Sequence, residues 1–169
     1  PLNEEIEMLE RYLAVQRIRF GDDLQVQIEV DPDAGDAQVP SLMLQPLVEN
    51  ALHHGIRVRS GGGRIWVTAE PLDDDTVRLR VMDDGQGPQL NSATLTKRGI
   101  GLQNVEMRLR HLFGRSYSLS LGRQEQAGTT VTAVTIQVPY HDEIPVLKTQ
   151  GDGQALRPGL ADLELSTRA

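Results

Sequence analysis

The stretch that decides the fold of this chain is Pro46-Leu47-Val48-Glu49-Asn50-Ala51-Leu52-His53-His54-Gly55. Its apolar residues recur three and four positions apart, which predicts a helix with one face buried in a core. Residues three and four apart on a helix are neighbours, so the opposite face carries Glu49, Asn50, His53 and His54. The stretch therefore predicts a helix that presents an acid-amide pair to a cleft.

Two prolines bear on where this helix begins. Pro40 and Ser41 form a typical helix start, because the fixed backbone angle of proline suits a first turn. Pro46 follows at a position where proline either bends a helix or belongs to its first turn. We therefore expect a helix that begins near Pro40 and ends at Gly55.

The rest of the chain contains both helical and strand patterns. Apolar residues at near-helical spacing predict helices over about residues 3–20 and 102–113. Period-two alternation predicts strands over residues 24–30, 64–70, 77–81, 117–121 and 131–138. Because these elements lack regular βαβ alternation, we expect an α+β fold, a two-layer sandwich with strands on one side and three helices on the other.

Composition and charge exclude several classes of function. The chain has 169 residues, of which 38% are hydrophobic, and this is enough for one domain with a core. Its formal charge of -7 gives no reason to expect nucleic acid as a partner. The lack of cysteine excludes disulfides, thiolate metal sites and cysteine catalysis. No apolar run approaches the roughly 20 residues of a membrane span, so we expect no membrane contact by this part of the chain.

A first glycine cluster, Asp83-Asp84-Gly85-Gln86-Gly87, follows a predicted strand. The strand delivers a carboxylate at its end, and the two glycines let the backbone turn tightly against a flat ligand. An ionised carboxylate only accepts hydrogen bonds, so Asp83 could read an exocyclic amine such as that of adenine. Taken alone, the cluster also fits an ordinary turn.

A second cluster, Gly99-Ile100-Gly101-Leu102-Gln103-Asn104, precedes a predicted helix. Free amides and the helix dipole at such a start form a cradle for phosphate groups. Lys97 and Arg98 lie where they could add positive charge. Between the two clusters, residues 85–98 form a long polar loop, which in a compact domain is usually functional or mobile.

The acid-amide pair suits a hard cation. Mg²⁺ takes oxygen ligands and keeps several waters, so one amide oxygen together with substrate phosphates is a sufficient contribution, and Asn50 fits that role. Glu49 could deprotonate a nucleophile or orient the waters of the metal. The alternative is a polar helix face in water. Zinc is disfavoured, because His53 and His54 are adjacent on a helix and point about 100° apart.

The order of these motifs resembles the ATP-binding domain shared by gyrase, mismatch-repair ATPases, heat-shock chaperones and histidine kinases, the GHKL superfamily with the Bergerat fold. Gly128-Thr129-Thr130 before the last strand completes the series. The closest resemblance is to sensor histidine kinases of the LytS type. Their hallmark is similar to the opening stretch followed by Gly99-Ile100-Gly101-Leu102-x-Asn104-Val105-x-x-Arg108-Leu109. The resemblance runs from about Tyr12 to Pro139.

The resemblance implies a fold and a set of roles. The fold is a mixed, mainly antiparallel sheet with about three helices on one face. Asn50 would coordinate Mg²⁺, Asp83 would hydrogen-bond the adenine amine, and Glu49 would assist phosphoryl transfer or metal placement. Thr129 or Thr130 would support the adenine, and residues 86–98 would form a mobile ATP lid. The whole expected ATP-binding set is Asn50, His53, His54, Asp83, Gly85, Gly87, Lys97, Arg98, Gly99, Ile100, Gly101, Leu102, Thr129 and Thr130.

Two departures from the resemblance concern single residues. His53 stands where such kinases commonly have lysine, which puts a phosphate or helix-face contact in doubt. Asp84 stands where asparagine is common, a mild change beside the key aspartate.

The resemblance also implies partners. Such a kinase has a phosphoacceptor histidine on a dimeric helical hairpin upstream, and it passes the phosphoryl group to a response regulator in the cytoplasm. None of the four histidines here, His53, His54, His111 and His141, lies on an early helix. We therefore expect ATP binding without autophosphorylation by this chain alone, and a homodimer only through the hairpin of a longer protein.

The same resemblance suggests how the chain is divided. Residues 1–20 would be the helix or linker that leaves the hairpin, residues 21–140 the ATP-binding domain, and residues 141–169 a flexible tail. Two alternatives stay open: a serine or threonine kinase of the anti-sigma-factor type on the same fold, and a non-catalytic nucleotide-binding interaction module.

Overall fold

Three α-helices, two short 3₁₀ helices and five strands make up the described part of the chain. The structure is a computed structural model, and it describes residues 1–53, 62–85, 100–126 and 128–141. The helices are α1 (Leu2–Phe20), α2 (Leu44–Ala51) and α3 (Ile100–Phe113). The strands are β1 (Leu24–Val30), β2 (Gly63–Asp73), β3 (Thr76–Asp83), β4 (Ser118–Gln126) and β5 (Thr129–Pro139).

The five strands form one sheet in the order β1-β2-β3-β5-β4. Only β1 and β2 run parallel, and the other three pairs are antiparallel. Two-residue connections join β2 to β3 and β4 to β5, a length that antiparallel neighbours allow. The predicted mixed, mainly antiparallel sheet is therefore confirmed.

One face of the sheet packs against the helices. Along β3, Val77, Leu79 and Val81 are buried and belong to the same core cluster as residues of all three helices. Side chains alternate across a strand, so every second residue of β3 and of β5 points to this helical layer. The result is the predicted α+β two-layer sandwich, and its core fixes which strand residues can face a site between the layers.

Helix α1 belongs to this core. Leu2, Leu9 and Leu13 are fully or almost fully buried and pack in the main core cluster. The helix predicted over residues 3–20 is confirmed, whereas its assignment to an upstream hairpin stays a prediction. In the described part of the chain, no helix is both long and apolar enough to cross a bilayer.

The expected start of α2 at Pro40 and Ser41 is wrong. The helix begins at Leu44, because Leu42 adopts a φ of 54°, a left-handed conformation that cannot continue into a right-handed helix. Pro46 consequently lies in the first turn, where its missing N–H breaks no intrahelical hydrogen bond. The predicted apolar face is confirmed, since Leu44, Leu47, Val48 and Ala51 are all buried.

Candidate nucleotide site

Asp83 ends β3 on the face of the sheet that meets the helices. It follows Val81 by two residues, so both side chains point to the helical layer. Asp83 is 7% exposed, and its register partners are Ile65 on β2 and Thr132 on β5. A carboxylate thus lies at the edge of an apolar core, with an aliphatic side chain on one flank and a hydroxyl on the other.

The surroundings of Asp83 hold its carboxyl group in an unusual state. Burial raises its pKa to about 6, the Gly85 N–H lowers it by donating to the carboxylate at 3.0 Å, Asp84 raises it and Arg123 lowers it. Desolvation is the largest of these effects, because a charged carboxylate loses water contacts that one backbone hydrogen bond does not replace. At neutral pH the group is an ionised, buried acceptor, which suits the recognition of an amine.

Thr132 is the residue of this site that sequence reasoning missed. Its side chain is 6% exposed, and its Oγ1 has no hydrogen-bond partner among the described residues. Buried hydroxyls are normally hydrogen-bonded, so an unpaired one beside a buried carboxylate indicates a place for a polar ligand or a water. The face of β5 could have identified it, because Thr132 shares the alternation of Ile136 and Val138.

Thr129 and Thr130, the threonines expected to support an adenine, lie at the start of β5 and not opposite Asp83. Thr130 is exposed, and its hydroxyl donates to the Glu125 carboxylate at 2.5 Å. Thr129 is half-buried and pairs with Gln126 at the hairpin end. Thr130 and Thr129 lie two and three residues before Thr132, the residue that pairs with Asp83. The adenine-supporting role given to them therefore stays a prediction, and Thr132 lies closer to the Asp83 carboxylate in the ladder.

Asn50 and Gly101 bring two of the predicted motifs together. A Cβ atom built on Gly101 would lie 3.2 Å from Nδ2 of Asn50 and 3.5 Å from Cβ of Pro46. The start of α3 therefore packs directly on α2, and glycine is the residue that leaves room for the amide. The acid-amide helix and the second glycine cluster, far apart in sequence, meet at this contact.

Glu49 points elsewhere than its neighbour. It accepts a hydrogen bond from Gln45 at 2.9 Å and lines a polar cavity of about 260 Å³ with Tyr12, Arg19 and His53. Burial raises the pKa of Tyr12, and the charge of Glu49 raises it further. The pair therefore does not present one common face: Glu49 faces α1 and Asn50 faces α3. The catalytic role of Glu49 stays a prediction.

The remaining predicted residues divide into described and undescribed ones. Leu102 is buried in the core, Ile100 is 79% exposed, and His53 is exposed beside Glu49. Gly85 is buried next to Asp83. Outside the described residues lie His54, Gly87, Lys97, Arg98 and Gly99, together with the predicted lid over residues 86–98 and the tail beyond residue 141.

The residues present fit an adenine nucleotide and a hard cation. The Asp83 carboxylate offers a hydrogen-bond acceptor to a flat polar ring, and the Thr132 hydroxyl, which is unpaired among the described residues, offers a second polar contact. The Asn50 amide supplies one oxygen at the start of α3, where backbone amides favour phosphate. Among the described residues no group of three His, Asp or Glu side chains could hold a metal alone. A cation at Asn50 would thus depend on ligand oxygens.

Several proteins of known sequence are similar to this chain over most of its length. Sensor histidine kinase BtsS of Escherichia coli is 31% identical over 142 residues, which cover 84% of this chain and 24% of BtsS. Sensor protein LytS of Oceanobacillus iheyensis is 30% identical over 153 residues, which cover 84% of this chain and 25% of LytS. The chain spans less than half the length of the curated relatives it matches.

A solved structure agrees in fold. The histidine kinase domain of a blue-light activated kinase from Erythrobacter litoralis superposes with a TM-score of 0.60 at 22% identity, over 83% of this chain and 61% of that one. Residues 35–141 match the family described as histidine kinase-, DNA gyrase B-, and HSP90-like ATPase. The resemblance read from the motifs, including the LytS-like type, is thereby confirmed. The chain belongs to the histidine kinase-, DNA gyrase B-, and HSP90-like ATPase family.

Proposed function

We propose that this chain is the ATP-binding catalytic domain of a two-component sensor histidine kinase. The observation that carries the proposal is the pairing of Asp83 with Thr132: a buried carboxylate with a raised pKa beside a hydroxyl that has no partner among the described residues. The Gly85 N–H and the charge of Arg123 only partly offset the effect of burial on the Asp83 carboxylate. In our proposal this carboxylate accepts a hydrogen bond from an adenine amine, and Thr132 supports the same ring.

The other roles follow from the helical layer. Asn50 would hold a magnesium ion through its side-chain oxygen, and such an ion would supply positive charge for the nucleotide phosphates. Gly101 keeps the start of α3 close to Asn50, so that the phosphates meet backbone amides rather than a side chain. ATP supplies the phosphoryl group. The residues of this chain bind it and orient it, which is most of what phosphoryl transfer requires.

The acceptor of the phosphoryl group lies elsewhere in our proposal. A histidine on a helical hairpin of the same, longer protein receives the group, and the hairpin also makes the homodimer. Residues 1–20 connect that hairpin to the ATP-binding domain in the cytoplasm, and residues 141–169 form its tail. A response regulator is the final acceptor. In support, a structurally similar kinase, ThkA, is known in complex with the response regulator TrrA.

The first test is nucleotide binding with and without metal. Calorimetry with ADP in Mg²⁺ should show binding, and chelation of Mg²⁺ should weaken it. Asn50→Ala should remove most of the difference between the two conditions, whereas Asn50→Asp, which keeps an oxygen ligand, should retain it. A well-folded protein that binds no adenine nucleotide would falsify the proposal.

The second test is phosphoryl transfer. After the upstream sequence of the natural protein is restored, radiolabelled ATP should give an acid-labile, base-stable label, as phosphohistidine does. An acid-stable label on serine or threonine of a separate protein would favour a kinase of the anti-sigma-factor type. Nucleotide binding without any label would favour a non-catalytic module.

A further inference from the structure

The turn at residues 41–43, just before α2, is held from α1 by a buried carboxylate. Glu5 is 4% exposed, and its side chain accepts hydrogen bonds from the backbone N–H groups of Leu42, Met43 and Leu44, the last two at 2.9 and 3.2 Å. The first N–H groups of a helix have no intrahelical partner, and α2 has no capping side chain of its own. Glu5 therefore caps α2 from a distant part of the chain.

The same turn is held from α3 by a guanidinium group. Arg108 donates to the carbonyl oxygens of Ser41 at 2.5 Å and Leu42 at 3.1 Å. Leu42 is thus bound through its N–H by a carboxylate and through its C=O by a cation, and it keeps the unfavourable φ of 54°. Such a conformation persists only where the surroundings enforce it. We call Glu5, Arg108 and residues 41–43 the helix clamp.

The helix clamp is buried on one side only, since Glu5 and Met43 are buried whereas Ser41 and Arg108 are exposed. A cavity of about 610 Å³ adjoins it, and Glu5, Ser41 and Arg108 are among the residues that line the cavity. Leu42 is 44% exposed. One side of the turn packs into the core through Met43, and the other side, at Ser41 and Leu42, is exposed and is held by the charged hydrogen bonds from α1 and α3.

The far end of α2 carries Asn50. This helix has eight residues and is about 12 Å long. Its start is bound to α3 through Arg108, and its end meets α3 at the Asn50 and Gly101 contact. Because the helix is short, we expect a change in how its start is held to tilt it and to move Asn50 relative to Gly101.

We infer that Glu5 and Arg108 are positioning residues of the nucleotide site, which hold α2 so that the Asn50 amide stays aligned with the start of α3. The inference rests on the proposed function, in which Asn50 holds the magnesium ion. It also makes α1 a part of the site, since a displacement of α1 moves the Glu5 carboxylate and with it the cap of α2.

The test uses two variants and two matched controls. Glu5→Gln keeps the shape of the side chain and removes its charge, and its control is Glu4→Gln in the same first turn, where the side chain is exposed. Arg108→Lys shortens the side chain by one atom and removes Nη1, the guanidinium nitrogen that donates to both carbonyl groups. Its control is Arg110→Lys, exposed on the same helix.

Two measurements separate positioning from mere stability. The first is the NMR resonance of the Asn50 side-chain amide in the nucleotide-free protein, assigned by its loss in Asn50→Ala. The second is the dissociation constant for ADP with and without Mg²⁺. We expect both clamp variants to shift the resonance and to weaken magnesium-supported binding by about fivefold, with magnesium-free binding almost unchanged. The controls should change neither quantity.

The outcomes are distinct. Folded clamp variants that have an unchanged Asn50 resonance and unchanged magnesium dependence overturn the inference, even if their melting temperatures fall. If Glu5→Gln does not fold, Arg108→Lys decides, because Arg108 is exposed and its replacement disturbs no core. If the natural protein itself binds no nucleotide, the proposed function fails, and the amide resonance still shows whether the helix clamp positions Asn50.

Discussion

Asp83 lies on the sheet side of the proposed nucleotide site and Asn50 on the helical side, and the two residues are held by different means. Asp83 sits inside a ladder, where β2 and β5 fix its backbone from both sides. Asn50 lies on a short helix whose start is capped by the Glu5 carboxylate, and Arg108 donates a hydrogen bond to the turn before it. The position of Asp83, the sheet half of the site, is therefore set by strand register. The position of Asn50, the helical half, depends on two side chains from other helices.

This difference has a functional consequence. A ladder of backbone hydrogen bonds yields little to a change in a neighbouring element, so recognition of the ring should be constant. A helix held by charged side chains responds to the position of the helices that carry them. Under the proposed function, the molecule would thus combine a fixed half that identifies the nucleotide with an adjustable half that positions its phosphates.

Asp83→Asn should have the largest effect, and it tests the sheet half. The amide would present a donor or a weaker acceptor to the ring amine, so we expect ADP binding to weaken by about 100-fold. The free energy of unfolding at pH 7 should rise on the order of 2 kcal/mol, because a buried charge is removed. Calorimetry and urea denaturation measure the two quantities.

The control for this change is Asp84→Asn at the next position. The Asp84 carboxylate accepts a hydrogen bond from the backbone N–H of Arg64 at 2.7 Å. Asp84 therefore belongs to the open end of the β2–β3 hairpin rather than to the site. It should leave ADP binding within about twofold of the unsubstituted chain. Equal losses in the two variants would mean that the hairpin end, and not the Asp83 carboxylate, matters for binding.

The ionised fraction of the Asp83 carboxyl group changes by about tenfold between pH 5 and pH 7, so pH offers a way to test the sheet half separately from the helical half. Its folded pKa of about 6 lies above the unfolded value of 3.8, so folding favours the protonated form. The destabilisation caused by its charge is absent below pH 3.8, grows up to pH 6 and is complete above it. At pH 5 about one tenth of the carboxylates are ionised, compared with about nine tenths at pH 7.

Carbon-detected NMR of the nucleotide-free protein checks this directly. The Asp83 carboxyl resonance should titrate near pH 6, and the Asn50 amide should not move with it if the two halves are independent. The stabilisation by Asp83→Asn should correspondingly shrink between pH 7 and pH 4. An Asp83 carboxyl group that titrates near the ordinary value of 3.8 would contradict the burial assigned to it.

The sequence predicts the sheet half well because its information is local. Alternation along Val77, Leu79 and Val81 fixes which face Asp83 occupies, and the glycine after the strand indicates the turn. The sequence did not identify Thr132, because the nearby Thr129 and Thr130 belong to the Gly128-Thr129-Thr130 motif. The register that pairs Thr132 with Asp83 depends on how two strands that are distant in sequence align.

The helical half was less predictable because its determinants are long-range. Nothing near Pro40 indicates that Leu42 takes a left-handed conformation, since the cause is a carboxylate 37 residues away. One local signal did exist. Glu5 stands three residues after Leu2 and four before Leu9, so an acidic residue occupies the apolar face of α1. A charge on a buried face requires a partner, and here the partner is the start of α2.

Gly101→Ala tests the helical half with a smaller effect. The added methyl group would lie 3.2 Å from Nδ2 of Asn50, so the amide must move by a few tenths of an ångström. We expect magnesium-supported ADP binding to weaken by about fivefold, because a metal ligand displaced by this distance loses its geometry. Gly122→Ala is the control, since a Cβ there meets nothing within 4 Å. Unchanged binding in Gly101→Ala would show that the Asn50 side chain adapts, and that the helical half is looser than the comparison implies.

Thr132→Val should have the smallest effect on binding, and it tests whether the sheet half is more than one carboxylate. Valine keeps the shape of threonine and removes the hydroxyl, so ADP binding should weaken by about threefold through the loss of one neutral hydrogen bond. The nucleotide-free protein should become more stable by about 1 kcal/mol, because a buried polar atom without a partner among the described residues is replaced by a methyl group. Thr130→Val is the matched control: its hydroxyl binds Glu125 at the exposed hairpin end, and its loss should leave ADP binding unchanged. If Thr130→Val weakens binding and Thr132→Val does not, the ring lies nearer the start of β5, and the motif rather than the register identifies the threonine of the site.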